Sequence, residues 1–188
     1  LMDRAGTIHA FEPSPFHFKV LLKNTNYSGI FLNKIALSSK IGSLVFYDIH
    51  KGSGSTATDK FLKGSSCYNY CKEEKFKKIE VPSTTLDNYC QSRNVYPSFL
   101  KIDIEGSEYD MLLGAKEVIS KYKPLIAMEV WRSPNDYSNH LKAIVFLKGR
   151  GYKSYRINGQ GDPEQISEIV PDRDIARGAD NFVFKFEQ

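Results

Sequence analysis

The run Phe99-Leu100-Lys101-Ile102-Asp103-Ile104-Glu105-Gly106-Ser107-Glu108 sets Lys101, Asp103 and Glu105 two residues apart, so a strand there projects one cation and two carboxylates from a single face. Gly106 and Ser107 then close it with a turn. Carboxylates at a strand end can take a proton from a hydroxyl, and a lysine beside them can pair with the base or steady a developing oxyanion. A strand enclosed on both faces is normally apolar throughout. Isolated charges buried there cost on the order of several kcal/mol each, so Lys101 is expected to pair with a carboxylate or a ligand. A half-exposed antiparallel strand would show the same alternation without any chemistry. Two further acids stand at strand ends: Glu12, after residues 7–11 and before Pro13, and Glu129, near the end of the apolar run 125–130.

The elements that must position these acids alternate along the chain. Ser14 and Pro15 offer an N-cap and a first-turn proline for a helix reaching Asn24. Strands are predicted over 31–37, 43–47 and 78–81, and a short helix begins at 84–87 and ends near Arg93. Ser107 to Asp110 resembles a capping box for one helix that buries Leu112, Ala115, Val118, Ile119 and Tyr122 and ends at Lys123-Pro124. A helix over about 137–148 presents Leu141, Ile144 and Val145 at helical spacing, and Gly149 and Gly151 stop it. The last strands fall near 152–157 and 181–186. This alternation predicts one α/β domain over 1–188, a three-layer Rossmann-like sheet that is mostly parallel with a C-terminal antiparallel strand. Ligands of such sheets sit at the carboxyl ends of the strands, where the acids are.

With 188 residues, 41% of them hydrophobic, the chain has apolar material for one ordinary core. Its net charge of +4 comes from scattered basic residues. The densest cluster, 72–78, encloses Glu73 and Glu74 and reads as a solvated face, so nucleic acid is not an expected partner. No apolar stretch approaches the roughly 20 residues of a membrane span, and no signal peptide pattern is present. Cys67, Cys71 and Cys90 form no metal-ligand spacing and read as reduced thiols of a cytoplasmic protein, without a metal centre. Residues 51–66 are rich in Gly, Ser and Thr and predict a long loop, with 52–58 a candidate lid or a plain surface loop.

The acids restrict the ligand. A glycine before a helix suits phosphate, but Glu105 and Glu108 bring negative charge to that place. A cationic, hydroxyl-rich ligand fits better, and S-adenosylmethionine carries both a sulfonium and a ribose diol. Glu12 stands where a carboxylate could accept two hydrogen bonds from that diol, or be a surface acid before a proline-capped helix.

The segments 8–15, 35–38, 81–87 and 100–108, continued by Leu113-Gly114-Ala115, 124–130 and 147–152, resemble in order the FkbM-type S-adenosylmethionine-dependent methyltransferases. The resemblance implies a seven-stranded methyltransferase fold and methyl transfer to an oxygen of a sugar or other small hydroxylated acceptor. It further implies that Glu12 and Pro13 meet the ribose, that Ala36 and Leu37 lie beside the adenine, and that Asp103 and Glu105 stand near donor and acceptor. Lys101 and Glu129 complete the expected catalytic set, Glu129 orienting the acceptor. The family's first strand and glycine-rich loop are expected before residue 7 and are not seen there. The chain on its own is therefore expected to be truncated, to bind the cofactor poorly or not at all, and to be inactive. A non-catalytic Rossmann-like domain and half of a nicotinamide-dinucleotide dehydrogenase are the alternatives.

Overall fold

The computed structural model describes residues 6–49, 55, 57, 76–131, 137–175 and 179–187. The predicted loop and lid (apart from Ser55 and Ala57), Cys67 and Cys71 lie outside the described residues, as does most of the basic cluster. The fold is mixed α/β. β1 (Ile8–Phe11) leads through α1 (Pro15–Asn24) to β2 (Ile30–Asn33), and the two strands pair in parallel. Ser14 caps α1 as expected, its hydroxyl accepting from the His17 N–H at 3.1 Å.

The predicted strand 31–37 is two strands in different sheets. Asn33 ties off β2 by donating from its side chain to the carbonyls of Ala10 and Phe31, and β3 (Ala36–Leu37) joins another sheet. There β3 runs parallel to β5 (Phe76–Thr84), which also pairs antiparallel with β4 (Gly42–Ile49). Ala36, Phe46 and Val81 form a small core on this sheet.

The largest sheet has the order β6-β7-β10-β8-β9, built from β6 (Phe99–Ile102), β7 (Leu125–Trp131), β8 (Tyr152–Ile157), β9 (Pro163–Ile166) and β10 (Ala179–Phe186). Only the β6–β7 pair in it is parallel. The expectation of a mostly parallel sheet is thus corrected: the sheets are mixed, because β10 enters antiparallel between β7 and β8 and β9 returns beside β8. Burial explains the strands chosen. In β7, Ile126, Met128 and Val130 are wholly covered while their neighbours are exposed or half-buried, the period of two that one packed face requires.

Helices α2 (Leu86–Arg93), α3 (Glu108–Leu113), α4 (Lys116–Tyr122) and α5 (Tyr137–Lys148) join the main core, and a short α6 (Pro171–Asp174) precedes β10. The single helix predicted after Ser107 is broken into α3 and α4. Gly114 lies so close to the Ser38 carbonyl that a Cβ would sit 2.1 Å from that oxygen. Asp87 of α2 then caps α4, its carboxylate accepting from the N–H groups of Glu117 (3.2 Å) and Val118 (2.9 Å). Ser107 makes no side-chain cap. In α5 the buried residues are His140, Ala143, Ile144, Phe146 and Leu147, whereas Leu141 and Val145 face outward.

Candidate active site

A cavity of about 2110 Å³ opens between the β1 and β6 regions. Among the described residues each strand is hydrogen-bonded on one side only, β1 to β2 and β6 to β7, and their other edges border this space. The cavity gathers residues far apart in the chain: Glu12 and Pro13 after β1, Ala36 and Leu37 of β3, and Lys101, Asp103 and Glu105 at the end of β6. Glu129 does not line it. It joins the site from behind, since carboxylate oxygens of Asp103, Glu105 and Glu129 lie within 4.8 Å of one another.

The charged strand is shorter than its alternation predicts. β6 ends at Ile102, and Glu105 and Gly106 take left-handed backbone conformations with φ of 57° and 92°. Glu105 therefore projects from a turn, and the period of two stops before it. Lys101 and Asp103 are not enclosed either, with side chains 44% and 45% exposed; they pair with each other at 3.1 Å. An ion pair that open to water contributes little stability, so its role is to hold the Asp103 carboxylate in place.

Burial, followed by the negative charges of Glu129, Asp103 and Glu108, pushes the Glu105 carboxyl up to about 8. Burial likewise raises Glu129 to about 7, with Asp103 adding to the rise both by its charge and by a side-chain hydrogen bond. Trp131 opposes it by donating Nε1–H to Glu129 Oε2 at 2.9 Å. The arrangement is a group of carboxylates that holds protons near neutrality and can take or release one there. The same three oxygens are spaced to share a divalent cation.

Across the cavity, Glu12 Oε1 accepts from the Ser14 N–H at 2.8 Å, and burial raises its carboxyl above the ordinary range. Ser14 also donates its hydroxyl to buried Asp48 of β4 at 2.5 Å, which ties the start of α1 to the second sheet. His9 stacks on Phe31, centroids 4.8 Å apart. Its Nδ1 meets the Tyr89 hydroxyl at 2.7 Å, and that hydroxyl donates onward to Asn33 Oδ1 at 3.1 Å, so the proton between the first two belongs to Nδ1. Buried Cys90 also borders the cavity, but burial pushes its thiol up to about 11, which leaves it no nucleophile.

Sequence reasoning missed three contributors. Asp48, the last residue but one of β4, is that strand's charged residue, and its position was a signal. In the sequence Glu108 reads as negative charge at the turn and as part of a helix cap, not as a buried anchor of residues 104–106. His140 lies 32 residues further on, and nothing local marks it; it packs, fully buried, with its Nδ1 3.5 Å from Glu108 Oε2.

A mixed α/β fold with an acid-lined cavity at strand ends suits an enzyme that handles a hydroxyl or a cation. The sequence profile of the methyltransferase FkbM domain matches residues 1–154, and the chain belongs to that family. Among solved structures it is similar to methyltransferase FkbM from Methylobacillus flagellatus KT, with a TM-score of 0.55 at 18% identity, covering 96% of this chain and 36% of that one. That likeness concerns the fold, and this chain spans about a third of the length of its structural relative. No curated protein matches the chain in sequence. No described helix is long and apolar enough to cross a membrane.

Proposed function

We propose that this chain carries the cofactor and acceptor walls of an S-adenosylmethionine-dependent O-methyltransferase acting on a hydroxyl of a sugar or other small hydroxylated molecule. The observation that supports it best is that Glu12 and the Asp103–Glu105 pair face one cavity from opposite sides. The residues fit the cofactor chemically. Glu12 offers a carboxylate to a ribose diol, Ala36 and Leu37 offer an apolar surface to a purine, and Asp103 offers negative charge to a sulfonium. S-adenosylmethionine, when bound, supplies an electrophilic methyl group.

In this reading the chain's own residues orient the acceptor and move its proton. Glu105 is the base. With its carboxyl at about 8 it takes a hydroxyl proton more readily than an ordinary glutamate, once ionised. Lys101 holds Asp103, and Glu129, fixed by Trp131, hydrogen-bonds Asp103 and orients the acceptor. Near-attack placement of the acceptor oxygen, roughly 3–3.5 Å from the methyl carbon, is the remaining requirement, and oriented hydrogen bonds to it are the means.

Calorimetry with S-adenosylmethionine tests the cofactor. A weak saturable heat at roughly millimolar ligand, about 4 kcal/mol of binding, is expected and should vanish in Glu12→Ala. Saturable heat that persists unchanged in Glu12→Ala would sink the assignment of Glu12 to the cofactor. Where methyl transfer is measured, Glu105→Gln should lower kcat by at least about 10²-fold, the usual scale for losing a general base.

A further inference from the structure

Glu108 is fully buried in the first turn of α3, where its carboxylate also meets its own backbone N–H. Its Oε1 reaches backward and accepts from two backbone N–H groups, Ile104 at 3.3 Å and Gly106 at 3.2 Å. Those two donors bracket Glu105, the residue held at φ 57°. A non-glycine residue in the left-handed region persists only where its surroundings over-determine it. Here a second restraint comes from α5, where Asn139 donates Nδ2–H to the Gly106 carbonyl at 2.9 Å. The other carboxylate oxygen of Glu108 faces the ring of the adjacent residue, His140, Nδ1 to Oε2 being 3.5 Å, and both side chains have no exposed surface.

A lone buried carboxylate would move or be expelled. At 3.5 Å the imidazole Nδ1 is in ion-pair contact with Oε2, longer than a good hydrogen bond, and a proton on the pair would offset the buried charge. The pair is thus stable in the dry interior, and its geometry leaves Oε1 committed to the turn. We propose that His140 is a positioning residue that acts through Glu108 to hold residues 103–107, and so sets where Glu105 and Asp103 stand in the cavity. The benefit to catalysis rests on the methyltransferase reading; the hold on the turn does not.

Amide hydrogen exchange on the full chain reads the hold directly. In the unaltered protein the N–H groups of Ile104 and Gly106 should be protected. His140→Leu removes the polar partner at similar volume and should speed exchange at those two amides by at least tenfold, leaving Met128 and Val130 of β7 within about twofold, since distant sites behave independently. His140→Asn, whose amide nitrogen can take the place of Nδ1, should restore protection. Glu108→Ala should lose it as His140→Leu does.

Unchanged exchange at 104 and 106 in His140→Leu overturns the proposal. So does equal loss of protection at 128 and 130, which would make His140 mere core packing. Failure of His140→Asn to restore protection also overturns it. Wherever transfer from S-adenosylmethionine is detected, His140→Leu should lower kcat at least tenfold with KM within about twofold. A chain that transfers no methyl group while showing the expected exchange pattern would remove the methyltransferase reading and leave the positioning role standing.

Discussion

The two walls of the cavity are built to different standards. On the β6–β7 side, Ile126, Met128, Leu112, Leu147 and Phe184 have no exposed surface, and four helices cover the sheet. On the β1–β2 side, α1 buries no residue fully, and Phe16, Val20 and Leu22 are more than 40% exposed. The first wall carries the proton-handling acids, the second carries Glu12. In the proposed reading, the groups that must stand within tenths of an ångström of a reacting atom sit on the part that cannot relax, and the group that grips the ligand sits on the part that can. A ligand bridging both walls should therefore firm up the second far more than the first.

The largest test of this contrast is a pair of truncations. Met128→Ala should cost about 2–5 kcal/mol, as wholly buried methionines do, whereas Val20→Ala on α1 should stay within about 0.5–1 kcal/mol in denaturant unfolding. Equal losses would break the comparison. Next in size is Gly114→Ala, in which a Cβ 2.1 Å from the Ser38 carbonyl forces two backbones apart. A loss of about 1–3 kcal/mol is expected. Because Ser38 follows Ala36 and Leu37, it should also weaken any binding at that wall.

Asp87→Ala removes the cap that α2 gives to α4, with about 1 kcal/mol expected from thermal or denaturant unfolding; a neutral result would mean water replaces the carboxylate fully. The last effect is one of sign. Folding raises the Glu105 carboxyl to about 8, so the folded state keeps a proton that the unfolded chain gives up at lower pH. Stability from this group is therefore present in acid and lost as pH rises from the ordinary carboxylate range toward 8, levelling off above it. Relative to the unaltered chain, Glu105→Gln should gain a few degrees in Tm at about pH 8.5 and gain nothing near pH 4. A gain that shrinks as pH rises would contradict the burial of this side chain.

Much of the local structure could be read in the chain. Ser14 and Thr85 cap their helices, and 125–130 and 152–157 are strands, because each signal lies within a few residues of its effect. The failures are tertiary. Nothing before Gly114 in the sequence announces that Ser38 will press against it, so one helix was expected where two exist. Alternation at 101, 103 and 105 could not reveal that Glu105 would turn to positive φ, a conformation held by Glu108 and Asn139 from outside the motif. The gathering of the acids at strand ends was legible, and so was the pairing of Lys101. His140 was not, since a histidine on an apolar helix face carries no mark of what it will meet.

The position of β10 has a consequence for how the protein comes into being. It follows β8 and β9 in the chain, yet it lies between β7 and β8 and contacts both along most of its length. Until residues 179–186 have been synthesised, β7 has no partner on that edge, and β8 and β9 are a hairpin with no sheet to join. The edge of β7 that β10 will pair must wait during translation. A stalled or prematurely ended chain would thus present an open, hydrophobic strand edge, the feature that recruits chaperones or starts aggregation.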